Sequence, residues 1–89
     1  MISCNEYDYI EIVCLYRYPI ELTLKSKSNG HNEVVNGIAL DTARNEARQE
    51  CIKILADGTE TLVVLDTLVK LKVRVENPHF EEIIFGTIE

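Results

Sequence analysis

The spacing of apolar residues along this chain changes near residue 17, and the change separates one helix from a run of strands. Over residues 3–17, SCNEYDYIEIVCLYR, a strand would set Tyr7, Tyr9 and Glu11 against Asp8, Ile10 and Ile12, leaving a charge on each face. At helical spacing Tyr7, Ile10 and Cys14 fall on one face with Val13 beside them, and Asp8 and Glu11 share the opposite flank. Ser3 followed three residues on by Glu6 has the form of a capping box, in which each side chain takes up a free backbone N–H of the other residue. A helix over about residues 3–16 is the favoured reading, although tyrosines and β-branched residues are weak helix formers.

Beyond Tyr18-Pro19, which stops a helix by pushing the residue before proline out of the helical region, the pattern is of strands. Ile20, Leu22 and Leu24 alternate with Glu21, Thr23 and Lys25. Residues 25–32, KSKSNGHN, predict a long hairpin tip around Asn29-Gly30. Residues 33–42 resume the strand with Ile38 and Leu40 inward, and Gly37 within it marks a bulge or bend. Residues 41–50, DTARNEARQE, offer a helix little to bury, so a hairpin around residues 44–47 is preferred there. Asp57-Gly58 between residues 50–55 and 61–65 is the strongest hairpin signal. In residues 68–75 Val69, Leu71, Val73 and Val75 are expected inward and Lys70, Lys72 and Arg74 outward, and residues 83–88 form a last edge piece. The expected fold is mainly β (α+β): an N-terminal helix capping a small, strongly bent five- to six-stranded antiparallel barrel over about residues 19–89, in one domain of residues 1–89.

Charge narrows the partners. A net charge of −6 makes the chain as a whole repel a polyanion, so it argues against sequence-independent phosphate binding and suits a basic partner better. Three cysteines without a C-x-x-C pair indicate neither a disulfide framework nor a zinc knuckle. No apolar run reaches the ~20 residues of a membrane span, and there is no secretion signal, so a cytoplasmic protein is expected.

Little in the chain points to catalysis. His31 and His79 have no metal-ligand spacing, no serine sits in a nucleophile elbow, and no glycine-rich phosphate loop precedes a helix. Neither metal nor cofactor is expected, and the chain reads as a non-enzyme. Lys70, Lys72 and Arg74 could track a nucleic-acid backbone, which gives an alternative reading as an RNA-binding barrel. No aromatic alternates with them to stack bases, and cross-strand pairing with acids is the simpler account. The acidic helix differs in kind. The helix dipole accounts for an acid at Glu6, less well for Asp8, and not at all for Glu11. Acids interleaved with Asn5, Tyr7 and Tyr9 can imitate an oligonucleotide toward a basic groove.

Cys4-Asn5-Glu6-Tyr7-Asp8, an apolar residue and Glu11, then Cys14 and the ELTLKS strand resemble the Rho-binding antiterminator (Rof) family. The similarity extends through GIALDTARNEARQECIKI and ETLVVLDTL. It implies an Sm-like barrel behind the helix and binding to the N-terminal RNA-binding domain of the transcription termination factor Rho, at its primary RNA site, so that termination is suppressed. It carries over Asn5, Glu6, Tyr7, Asp8 and Glu11 as the contact set, with Arg44 and Asn45 in a loop near the same partner. On this reading the protein acts as a monomer without touching nucleic acid directly or a membrane. The tip at residues 26–32 looks longer than is usual in the family.

Overall fold

A computed structural model describes residues 4–25 and 32–85. The N-cap assigned to Ser3, most of the hairpin tip at residues 26–32 with His31, and the end of the last edge piece lie outside the described residues. Helix α1 spans Cys4–Leu15, and strands β1 (Pro19–Leu24), β2 (Glu33–Arg44), β3 (Glu50–Ala56), β4 (Thr59–Val64), β5 (Leu68–Val73) and β6 (Glu82–Ile84) follow. They form one six-stranded antiparallel sheet in the order β4-β3-β2-β1-β5-β6. Helix plus strongly bent sheet is the expected mainly β, barrel-like architecture.

The helix buries the face its spacing predicts. Ile10 and Val13 have no exposure and Cys14 has 8%, while Tyr7 packs partly buried against the same core. Each fully buried aliphatic side chain contributes about 2 kcal/mol by removal from water. The helix ends two residues earlier than the proline alone would require. Arg17 takes a left-handed conformation (φ 55°), its N–H donates to the Cys14 carbonyl (3.2 Å), and the Tyr18 N–H donates to the Val13 carbonyl (3.0 Å). Those two bonds are the Schellman termination, here with arginine in the place glycine usually takes.

β1 is as predicted, with Ile20 and Leu22 fully buried. The Asp57-Gly58 turn has positive φ at both residues (53° and 77°), which matches the right-handed twist of the strands it joins. Leu71 and Val73 point inward as expected. Val75 does not: it lies past the end of β5 and is 45% exposed.

β2 faces the other way from its predicted orientation. Ile38 is 40% exposed and Leu40 half-buried, whereas Ala39 has no exposure. The cause is the bend of this strand, which pairs with β1 up to Ile38 and with β3 from Ile38 onward. At Gly37 an added Cβ would stand 2.8 Å from the Leu55 carbonyl oxygen and 3.2 Å from the Ile54 side chain. Only the smallest residues fit the crowded inner side, so Gly37 and Ala39 face in and the bulky Ile38 faces out. The register shift itself falls between Ala39 and Asp41.

Candidate partner-binding site

Helical periodicity of about 100° per residue puts Asn5, Asp8 and Glu11 on the side of α1 away from its buried stripe, and all three are exposed. Among the described residues neither Asp8 nor Glu11 forms an ion pair or a side-chain hydrogen bond. Glu6 and Tyr7 are half-buried. The contact set taken from the sequence therefore divides into a freely solvated flank, Asn5, Asp8 and Glu11, and two residues partly committed to the body.

Arg44 and Asn45 sit where β2 turns toward β3. The Ala39 N–H donates to the Tyr18 carbonyl (3.0 Å), and Glu11 and Cys14 share a groove with Leu40, Asp41 and Thr42. Moving backward along α1 thus means moving forward along β2, which carries the first turns of the helix toward the end of the molecule that holds the 45–49 hairpin. Both residues also hold the hairpin together. Asn45 Nδ2 donates to Gln49 Oε1 (2.9 Å), Asn45 Oδ1 accepts from the Gln49 N–H (3.0 Å), and Arg44 donates to the Arg48 carbonyl (3.2 Å) and lies 3.6 Å from Glu50. Asn45 is half-buried in this arrangement, whereas Arg44 is exposed.

Tyr9 of the helix and Tyr16 just past its end are met from outside by the loop that follows β5. Tyr9 meets Phe80 edge to face with centroids 4.9 Å apart, and Tyr16 lies 5.4 Å from Tyr18 and 5.0 Å from His79. Asn77 fixes that loop with its whole side chain. Nδ2 donates to the carbonyls of Val75 and Phe80 (both 3.0 Å), and Oδ1 accepts from the N–H groups of His79 (2.8 Å) and Phe80 (3.1 Å). Asn77-Pro78 carried a signal in the sequence, since asparagine before proline starts turns of this kind, but what the loop would grip was not visible there.

The electrostatic field around α1 registers on Cys14. Burial pushes its thiol up from 9.0 to about 11, Asp41 and Glu11 push in the same direction, and Arg17 opposes them. Such a thiol stays protonated and is a poor nucleophile. Among the described residues no group of three or more His, Cys, Asp or Glu could hold a metal ion, and no helix is long and apolar enough to cross a membrane.

Of the basic row, Lys70 and Lys72 lie in β5 and Arg74 just past its end. Lys72 stands in register between Glu21 of β1 and Glu82 of β6, Lys70 is half-buried between Thr23 and Ile84, and Arg74 donates to Asn36 Oδ1 at 2.9 Å. These are the cross-strand partners of an ordinary outer sheet face.

A comparison with curated protein sequences found no match. Among solved structures, YaeO from Vibrio cholerae O395, bound to magnesium, is similar to this chain with 41% sequence identity and a TM-score of 0.79, covering 90% of this chain and 97% of that one. The family model for modulators of Rho-dependent transcription termination (ROF) matches residues 1–85. This is not an enzyme family, and with nearly the whole length matched the chain belongs to it: the ROF modulators of Rho-dependent transcription termination.

Proposed function

We propose that this chain suppresses Rho-dependent termination by binding the N-terminal RNA-binding domain of Rho and excluding RNA from the primary site. The observation that carries the reading is the solvated flank of α1, where Asp8 and Glu11 stand exposed without a cationic partner among the described residues. A groove that holds phosphates must present lysines and arginines, and two carboxylates fixed about one turn apart on a helix offer such a groove comparable charge without a nucleic acid. Asn5 extends the flank with hydrogen-bonding groups, Glu6 and Tyr7 border it, and Arg44 and Asn45 supply its rim from the neighbouring hairpin. Binding at this site blocks loading of RNA on Rho by simple competition.

The protein works as a monomer in the cytoplasm, where transcription takes place, and uses no cofactor. The register of Lys72 with Glu21 and Glu82 supports a role that does not involve direct RNA contact, because acids on both flanking strands weaken the field its cation offers a phosphate.

The test is displacement of a labelled pyrimidine-rich oligonucleotide from the Rho N-terminal domain by this protein and by Asp8→Lys. The parent should displace it, and the variant, folded but with one acid reversed, should not. Displacement by both would move the interface off the helix. Failure of the parent would end the competition model.

A further inference from the structure

Leu15 is 73% exposed, more than any other large hydrophobic side chain among the described residues, and it stands one helical turn beyond Glu11. A single exposed leucine needs no explanation in itself. This one, however, borders an open groove of about 450 Å³ between α1 and β2, with Leu40 on the other side and carboxylates from both elements, Glu11 and Asp41. Asp41 is held in place there, since its Oδ1 accepts from the N–H of Thr42 at 2.8 Å. Arg17 also lines the groove, which leaves it with two negative charges against one positive. The buried Cys14 thiol beneath feels the carboxylates of Asp41 and Glu11 together, so their fields converge at this place.

We propose that this groove is part of the partner surface and receives a long cationic side chain of the Rho N-terminal domain, with its methylene stem against Leu15 and Leu40 and its charged head at Glu11 and Asp41. The inference rests on the proposed function. Lysine and arginine combine an apolar stem with a charged tip, which matches a groove that sets two leucines beside two carboxylates. An apolar occupant would strip water from two carboxylates without giving them a partner, and an anionic one would be repelled. The groove also continues the flank that holds Asp8, so one partner surface can cover both.

The experiment measures affinity for the Rho N-terminal domain at low and high salt for the parent, Asp41→Asn, Leu15→Ser and Asp8→Lys. Asp41→Asn keeps the acceptor for the Thr42 N–H and removes only charge, and Leu15→Ser changes an exposed side chain, so both should unfold at the parental temperature. Each should weaken binding about tenfold, Asp41→Asn with a shallower salt dependence and Leu15→Ser with the parental one. Parental affinity in both, with binding lost in Asp8→Lys, would overturn the groove and leave the helix flank standing. No binding by the parent itself would overturn the proposed function and the groove together.

Discussion

Tyr9 and Phe80 meet edge to face, with ring centroids 4.9 Å apart and planes at 71°, and so tie the middle of α1 to the loop between β5 and β6. A ring held in this way has one edge occupied. Tyr9 is therefore part of the scaffold that orients the acidic flank, and Asn77, which holds Phe80 by two hydrogen bonds, is part of the same device.

Truncating this contact should loosen the helix. Phe80→Ala removes a half-buried ring and its edge-to-face contact with Tyr9, at an expected cost of about 2 kcal/mol. Asn77→Ala leaves several backbone groups of the loop without their partner, at about 1–2 kcal/mol. Urea unfolding monitored by circular dichroism reads both values. Parental stability in both variants would mean that the loop does not hold the helix.

Gly37→Ala should be more harmful than an ordinary glycine replacement in a strand. The new Cβ would stand 2.8 Å from the Leu55 carbonyl oxygen, a backbone atom that moves only with β3. Overpacking against fixed backbone costs about 1–3 kcal/mol, and a fall in the midpoint of chemical denaturation that corresponds to this loss is expected. An unchanged midpoint would show that β2 can straighten away from β3 at no cost.

The same glycine explains why some of the fold could be read from the sequence and some could not. Helix α1, β1 and the Asp57-Gly58 hairpin depend on local periodicity and turn chemistry, and each stands where the sequence put it. The facing of β2 depends on how close β3 approaches, a long-range fact, so the rule that large apolar residues point inward failed at Ile38 and Leu40. Val75 failed for a related reason, because alternation continues in sequence past the point where pairing with β1 and β6 has ended. At the site, exposure of Asp8 and Glu11 followed from the buried stripe of their own helix. The hydrogen bonds of Asn45 within its hairpin, and the placing of Asp41 and Glu11 along one groove between two elements, needed the folded chain.

Removing the basic row should leave function intact. Because Lys72 lies in register between Glu21 and Glu82, Lys72→Ala leaves those two acids without the cation between them, with an expected stability loss of about 0.5–1 kcal/mol. In the displacement assay a Lys70→Gln, Lys72→Gln variant should perform as the parent does. A clear loss of displacement there would assign the β5 face a part in partner or RNA binding.

Cys14 makes stability depend on pH in the alkaline range. Its thiol pKa is raised from 9.0 to about 11, mainly by burial. Below pH 9 the folded and unfolded chains both keep the proton, and the group contributes no pH dependence. As pH rises from 9 toward 11 the unfolded chain gives up its proton while the folded chain still holds it, so stability falls, by an upper figure of about 3 kcal/mol from this group. The informative quantity is the difference in slope between the parent and a variant that lacks the thiol. Cys14→Ala should be less stable at neutral pH because a buried side chain is cut back, yet lose less further stability between pH 9 and 11 than the parent does. The same burial should make the Cys14 peptide of the native protein react with iodoacetamide at pH 8 far more slowly than in the denatured chain, as mapped by mass spectrometry. Equal alkaline slopes in parent and variant, together with rapid native alkylation, would place the thiol in contact with solvent and remove it from the floor of the groove between α1 and β2.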